Sequence, residues 1–101
     1  MDESPLGINH LKWDDWNREH IAKHDVTPEE VDEMLASMPV VRSTYKRRYQ
    51  VLGPTLSGRM LSVIVGQDPN PPHTWYVFSA RPASRSERRI YNELRQEVDS
   101  Q

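Results

Sequence analysis

The helical periodicity of the first part of this chain ends at Pro39, and a strand-like pattern begins with the next residue. Before the proline, Val31, Met34, Leu35 and Met38 recur three or four residues apart, the spacing of one apolar helix face. Proline lacks the N–H that the next turn needs, and its ring clashes with the turn behind, so the helix cannot run through it. After it, Val40 to Tyr45, Arg48 to Leu52, Arg59 to Val65 and Thr74 to Arg81 are rich in Val, Ile, Tyr, Trp and Thr, the residues that suit a pleated sheet. A chain that reads helix on one side of a single residue and strand on the other belongs to the α+β class.

Two helices fit ahead of Pro39. Asp14 can cap the first, which runs through WNREHIAKH and stops near Asp25. Thr27-Pro28-Glu29-Glu30 opens the second as a capping box with proline at the first helical position and acids matched to the helix dipole. The methionines of this helix are expected in the core. Beyond Pro39, Gly53-Pro54 with Ser57-Gly58 marks one turn, and QDPNPPH a longer, proline-stiffened connection. Such connections predict an antiparallel meander of four strands. Met60 to Val65 barely alternates, as a strand covered on both faces should. Ser84-Arg85-Ser86-Glu87 is a further capping box, starting a C-terminal helix whose Ile90, Leu94 and Val98 can pack on the sheet. The expected architecture is two N-terminal helices, a four-stranded antiparallel sheet and a C-terminal helix, in one domain over residues 1–101 with residues 1–10 as a flexible tail.

Charge is divided along the chain. Residues 1–38 carry three Lys or Arg against ten Asp or Glu, net −7; residues 39–101 carry ten against five, net +5. The second half can hold a polyanion while the first keeps the protein soluble. The cations concentrate in SARPASRSERR (79–89), four arginines in eleven residues at a helix start. There they oppose the helix dipole, at some tenths of a kcal/mol each, unless an anion binds among them. In the meander, Arg59 and Arg81 fall at one end of the sheet, with Arg42 near the same end. Pairing of the basic face with Glu87, Glu93 and Glu97 is the alternative use of these residues.

Other chemistries find less support. There is no cysteine, hence no disulfide framework or thiol nucleophile, and there is no Gly-rich phosphate loop. His20 and His24 have a spacing that can place two imidazoles on a metal, but the glutamate of HExxH and a third ligand are missing. Trp13, Trp16, Tyr49, Trp75 and Tyr76 could stack on bases, and most are expected in the core. The N-terminus lacks the pattern of a signal peptide and no apolar run is long enough to span a bilayer, so a cytoplasmic location is expected.

The order Trp13-Asp14, then Asn17 to Val26 with its Lys23-His24 pair, followed by an acidic helix, RYQVLG (48–53), SGRMLSVIV (57–65) and above all SARPASRSERRIY (79–91), resembles the BrnT family of toxins from bacterial type II toxin-antitoxin systems. The likeness runs from about Leu11 to Asn92. It implies a RelE-like fold, a metal-independent endoribonuclease that inhibits translation, no cofactor, and a cognate BrnA-like antitoxin with a ribbon-helix-helix part through which alone DNA is met. Residue by residue it points to Lys23, His24, Arg48, Arg59 and Arg81 as catalytic, with Arg42, Arg85, Arg88 and Arg89 as further RNA contacts. Arg47 stands where the family usually has an acidic residue, Asp25 where it usually has glycine, and the QDPNPPH connection is unusual. Cleaving RNA without a metal needs a base, an acid and cations around phosphorus, and the imidazole of His24 is the side-chain type suited to proton transfer near neutral pH. The alternative is a module of the same fold that binds antitoxin or RNA without cutting; a DNA-binding regulator has no recognition-helix motif behind it.

Overall fold

The computed structural model describes residues 10–68 and 74–99 of the chain, with side chains through residue 96. The elements are β1 (His10–Lys12), α1 (Asp15–Ala22), α2 (Pro28–Leu35), β2 (Val40–Ser43), β3 (Arg48–Pro54), β4 (Met60–Gln67), β5 (Thr74–Pro82) and α3 (Arg85–Asp99). The fold is α+β with a five-stranded mixed sheet in the order β1-β5-β4-β3-β2.

The meander β2 to β5 is antiparallel throughout, but the sheet is not the expected four-stranded one. His10–Lys12 adds a strand parallel to β5, pairing His10 with Thr74 and Lys12 with Tyr76, and Lys12 also meets Asp68 at 3.1 Å. Three residues are too few for alternation to register, and their partner is far away in sequence. His10 thus belongs to the sheet and not to a tail; residues 1–9 and the Pro69 to His73 part of the long connection lie outside the described residues.

Each helix begins where its capping chemistry dictates. Asp14 accepts from the Asn17 backbone and Asn17 Oδ1 answers the Asp14 N–H. Thr27 and Glu30 form the same reciprocal pair, as do Ser84 and Glu87. α2 ends at Leu35, before the proline, and Met38 adopts φ 61° with its side chain exposed; Met34 is core and Met38 is not.

Ile21 of α1 with Val31 and Met34 of α2 packs on Val51, Leu61, Val63, Val65 and Val77. These define one face of the sheet. On the other face α3 lies against β2 and β3, joined by the Gln50 to Glu87 hydrogen bond of 2.8 Å. α3 leaves the Ile64–Ser79 region of that second face uncovered, and a groove forms there. Among the described residues no helix is long and apolar enough to cross a membrane.

Candidate functional site

The groove, about 550 Å³, is lined by Trp16, Thr44, Tyr45, Arg48, Ile64, Phe78 and Ser79. Its floor depends on an irregularity. Ile64 pairs with Ser79 and Val65 with Val77, so Phe78 is an extra residue in β5, and the bulge re-aims its ring. The Arg48 guanidinium stacks over that ring, 3.7 Å from its centroid. Gly66 permits the arrangement: a Cβ there would lie 2.8 Å from Phe78 Cε2. Among the described residues no carboxylate pairs with Arg48.

Aromatic and imidazole rings continue from the groove along α1. Phe78 meets Tyr76 edge-on at 5.0 Å, and Tyr76 approaches Trp16 at 6.4 Å. Trp16 stacks on His20 at 4.7 Å, and His20 meets His24 at 6.2 Å. The Tyr76 hydroxyl donates to the Asp14 carboxylate. Burial first, and then that carboxylate, raise the pKa of the phenol, while the Asn17 backbone N–H is the largest influence lowering that of Asp14. Trp13, Tyr49 and Trp75 pack in or against the core as expected, whereas Trp16 is 55% exposed.

The residues marked as catalytic fall in three places: Lys23, His24 and Arg59 at the α1–α2 turn, Arg48 in the groove and Arg81 beside the start of α3. Arg59 precedes β4 and turns to the α1–α2 side, where its guanidinium donates to both Glu30 oxygens at 3.0 and 3.1 Å, to the Asp25 carbonyl at 2.7 Å and to the His24 carbonyl at 3.3 Å. Lys23 caps the C-terminus of α1, and both Lys23 and His24 are exposed. Arg81, on the opposite face, holds Glu87 with two bonds of 2.8 Å. The Arg81 bonds, followed by those from Ser84 and Gln50, bring the Glu87 pKa down to about 2. Both partners are the third-position glutamates of capping boxes, so each acid satisfies a helix terminus and an arginine together.

Arg42 donates to Gln50, and Gln50 donates in turn to Ser62 and Glu87. Arg42 thereby joins the Arg81 network and does not stand free at an edge. Arg48 is remote from this cluster: it pairs with Gly66, four residues along β4 from the Ser62 that faces Arg81. Arg85, Arg88 and Arg89 are exposed, with no ion pair among the described residues; Glu93 does not neutralise them, and the Glu97 side chain lies outside the described residues. Asp25 has φ 63°, which accounts for glycine as the easier residue at that position.

Sequence reasoning missed Tyr45 and Phe78 of the groove, and read Arg47 only as a departure from the family pattern. The signal for Tyr45 was TYKRR (44–48), an aromatic followed by a run of cations; the Phe78 bulge left no trace in the residue pattern. Among the described residues no three His, Cys, Asp or Glu side chains are grouped to hold a metal ion. No protein-family model and no curated protein matches the chain at a significant level.

Proposed function

We propose that this protein is a BrnT-type toxin with a RelE-like fold, a metal-independent endoribonuclease that blocks translation in the cytoplasm and is neutralised by a ribbon-helix-helix antitoxin. The observation that carries the RNA-directed reading is the groove, where the Arg48 cation, free of a carboxylate among the described residues, sits beside the exposed rings of Trp16 and Tyr45. Cations and open aromatic faces are what unpaired RNA requires. In this mechanism the 2′-hydroxyl loses its proton to a base and attacks phosphorus, the P–O5′ bond breaks, and the leaving oxygen takes a proton. The products are a 2′,3′-cyclic phosphate and a 5′-hydroxyl. His24 is the proton carrier with Lys23 beside it at the phosphate, while Arg48 holds the strand in the groove; Arg59 and Arg81 can join only by leaving Glu30 and Glu87.

That requirement favours a second reading, a non-catalytic module that binds RNA or antitoxin. Incubation of the purified protein with RNA in chelator separates the two. The toxin reading expects cleavage with cyclic-phosphate ends and its loss in His24→Ala. Cleavage that stops in chelator and returns with a divalent ion overturns the metal-free mechanism, and RNA left intact under all conditions transfers the assignment to the module.

A further inference from the structure

The β2–β3 turn is built from residues that its backbone disfavours. Lys46 and Arg47 have φ values of 61° and 59°, and the Arg48 N–H closes on the Tyr45 carbonyl at 3.3 Å. Two successive left-handed residues between paired strands are the φ signature of a type I′ turn, for which Asn-Gly is the easy sequence. Side chains with a Cβ are strained there. Among the described residues neither cation makes a hydrogen bond or ion pair that would offset the strain, and the contact of Lys46 with the Tyr45 ring, 5.6 Å to its centroid, is a weak, exposed cation–π pair. Tyr45 itself is 76% exposed and forms one wall of the groove.

The geometry points to this hairpin tip as a phosphate clamp that fixes an unpaired RNA strand against the groove, with Lys46 and Arg47 on the backbone and Tyr45 and Trp16 on the bases. The inference rests on the RNA-directed reading above and adds the strand's path and the residues that grip it. The tip supplies Lys46, Arg47 and Arg48 in succession beside open aromatic faces. An acidic peptide would satisfy the cations but leave the rings without planar partners; a duplex would satisfy the cations but hide its base faces. Only an unpaired strand uses both.

A labelled oligoribonucleotide carrying 2′-O-methyl groups cannot be cut by attack of its 2′-oxygen, so its anisotropy reports binding separately from cleavage. The K46N/R47G variant should melt roughly 5 °C higher, because the turn is relieved, and bind roughly tenfold more weakly at about 0.1 M salt, with its log–log salt slope reduced by about 1.4. Tyr45→Ala should lose the preference for the unpaired strand over the same strand in a duplex. Arg18→Gln, which removes an exposed cation on α1, should bind within about twofold of the parent. The clamp is overturned if K46N/R47G binds as the parent does, if Arg18→Gln weakens binding equally, or if the parent ignores this RNA, whether or not it takes an acidic peptide instead. Tight binding of this probe by a parent that leaves natural RNA intact would sustain the clamp and remove only the nuclease.

Discussion

Gly66 has no side chain because Phe78 occupies the space that one would need. Gly66→Ala forces the ring off Arg48 or bends β4, and overpacking of this kind costs about 1 to 3 kcal/mol. Its urea midpoint should fall and its RNA affinity should fall with it; adding Phe78→Leu should recover stability but not affinity. Parental stability in Gly66→Ala would show that the floor of the groove is not packed as described. Arg59 is the other residue whose neighbours decide its role. Its bonds to Glu30 and to two carbonyls tie the α1–α2 turn to the sheet, so Arg59→Ala should cost about 2 kcal/mol of stability, measured by denaturation. If stability is unchanged while cleavage collapses, Arg59 serves the substrate and not the fold. Strand order alone set Arg59 and Arg81 at one end of the sheet. Which face each would choose was not legible, because it depends on Glu30 and Glu87, more than twenty residues from Arg59 in one case and on another element from Arg81 in the other.

The capping boxes Thr27–Glu30 and Ser84–Glu87 and the Asp14 cap were the most legible features, since every atom they need lies within four residues, though the Asn17 bond that completes a third box at Asp14 was not read. The strand β1 was the least legible, since its partner β5 is the last strand of the meander, more than sixty residues away. The box at the start of α3 also has a measurable consequence. Glu87 is depressed from an ordinary value of 4.5 to about 2, first by Arg81. The unfolded chain therefore binds this proton more readily than the folded one. The stabilisation is complete above pH about 4.5 and is lost as the pH falls through about 2, and with solvent screening it is worth on the order of 1 to 2 kcal/mol. Urea midpoints of the parent should decline over that window, and Glu87→Gln should remove this component of the decline while lowering stability at neutral pH. An identical acid profile in the variant would assign the sensitivity to other carboxylates.

At the scale of the whole molecule, the sequence disclosed that acid and base are separated along the chain but not that the sheet sets the acids of α2, with Arg59 paired among them, and the groove's Arg48 on opposite faces. Glu29 and Asp32 ride on α2, which packs on the core face, while Arg48 lines the groove on the other side, with Lys46 and Arg47 in the turn that precedes it. Burial, then the Glu29 charge, raise the pKa of Asp32, so this helix already holds like charges close together. RNA held in the groove as proposed would lie a sheet and a helix layer from α2, on the order of 15 Å. Over that distance repulsion survives at about 0.01 M salt, where the screening length is about 30 Å, and is largely gone at about 0.15 M, where it is about 8 Å. Glu29→Gln with Asp32→Asn should therefore tighten RNA binding several-fold at the lower salt and by less than about twofold at the higher. The hairpin variant K46N/R47G removes direct phosphate contacts, so its deficit should persist at both concentrations even as all affinities fall. Titrations of the two variants at both salts test the arrangement directly. If the α2 variant gains as much at high salt as at low, RNA must lie against α2, and the polarity assigned to the molecule is reversed.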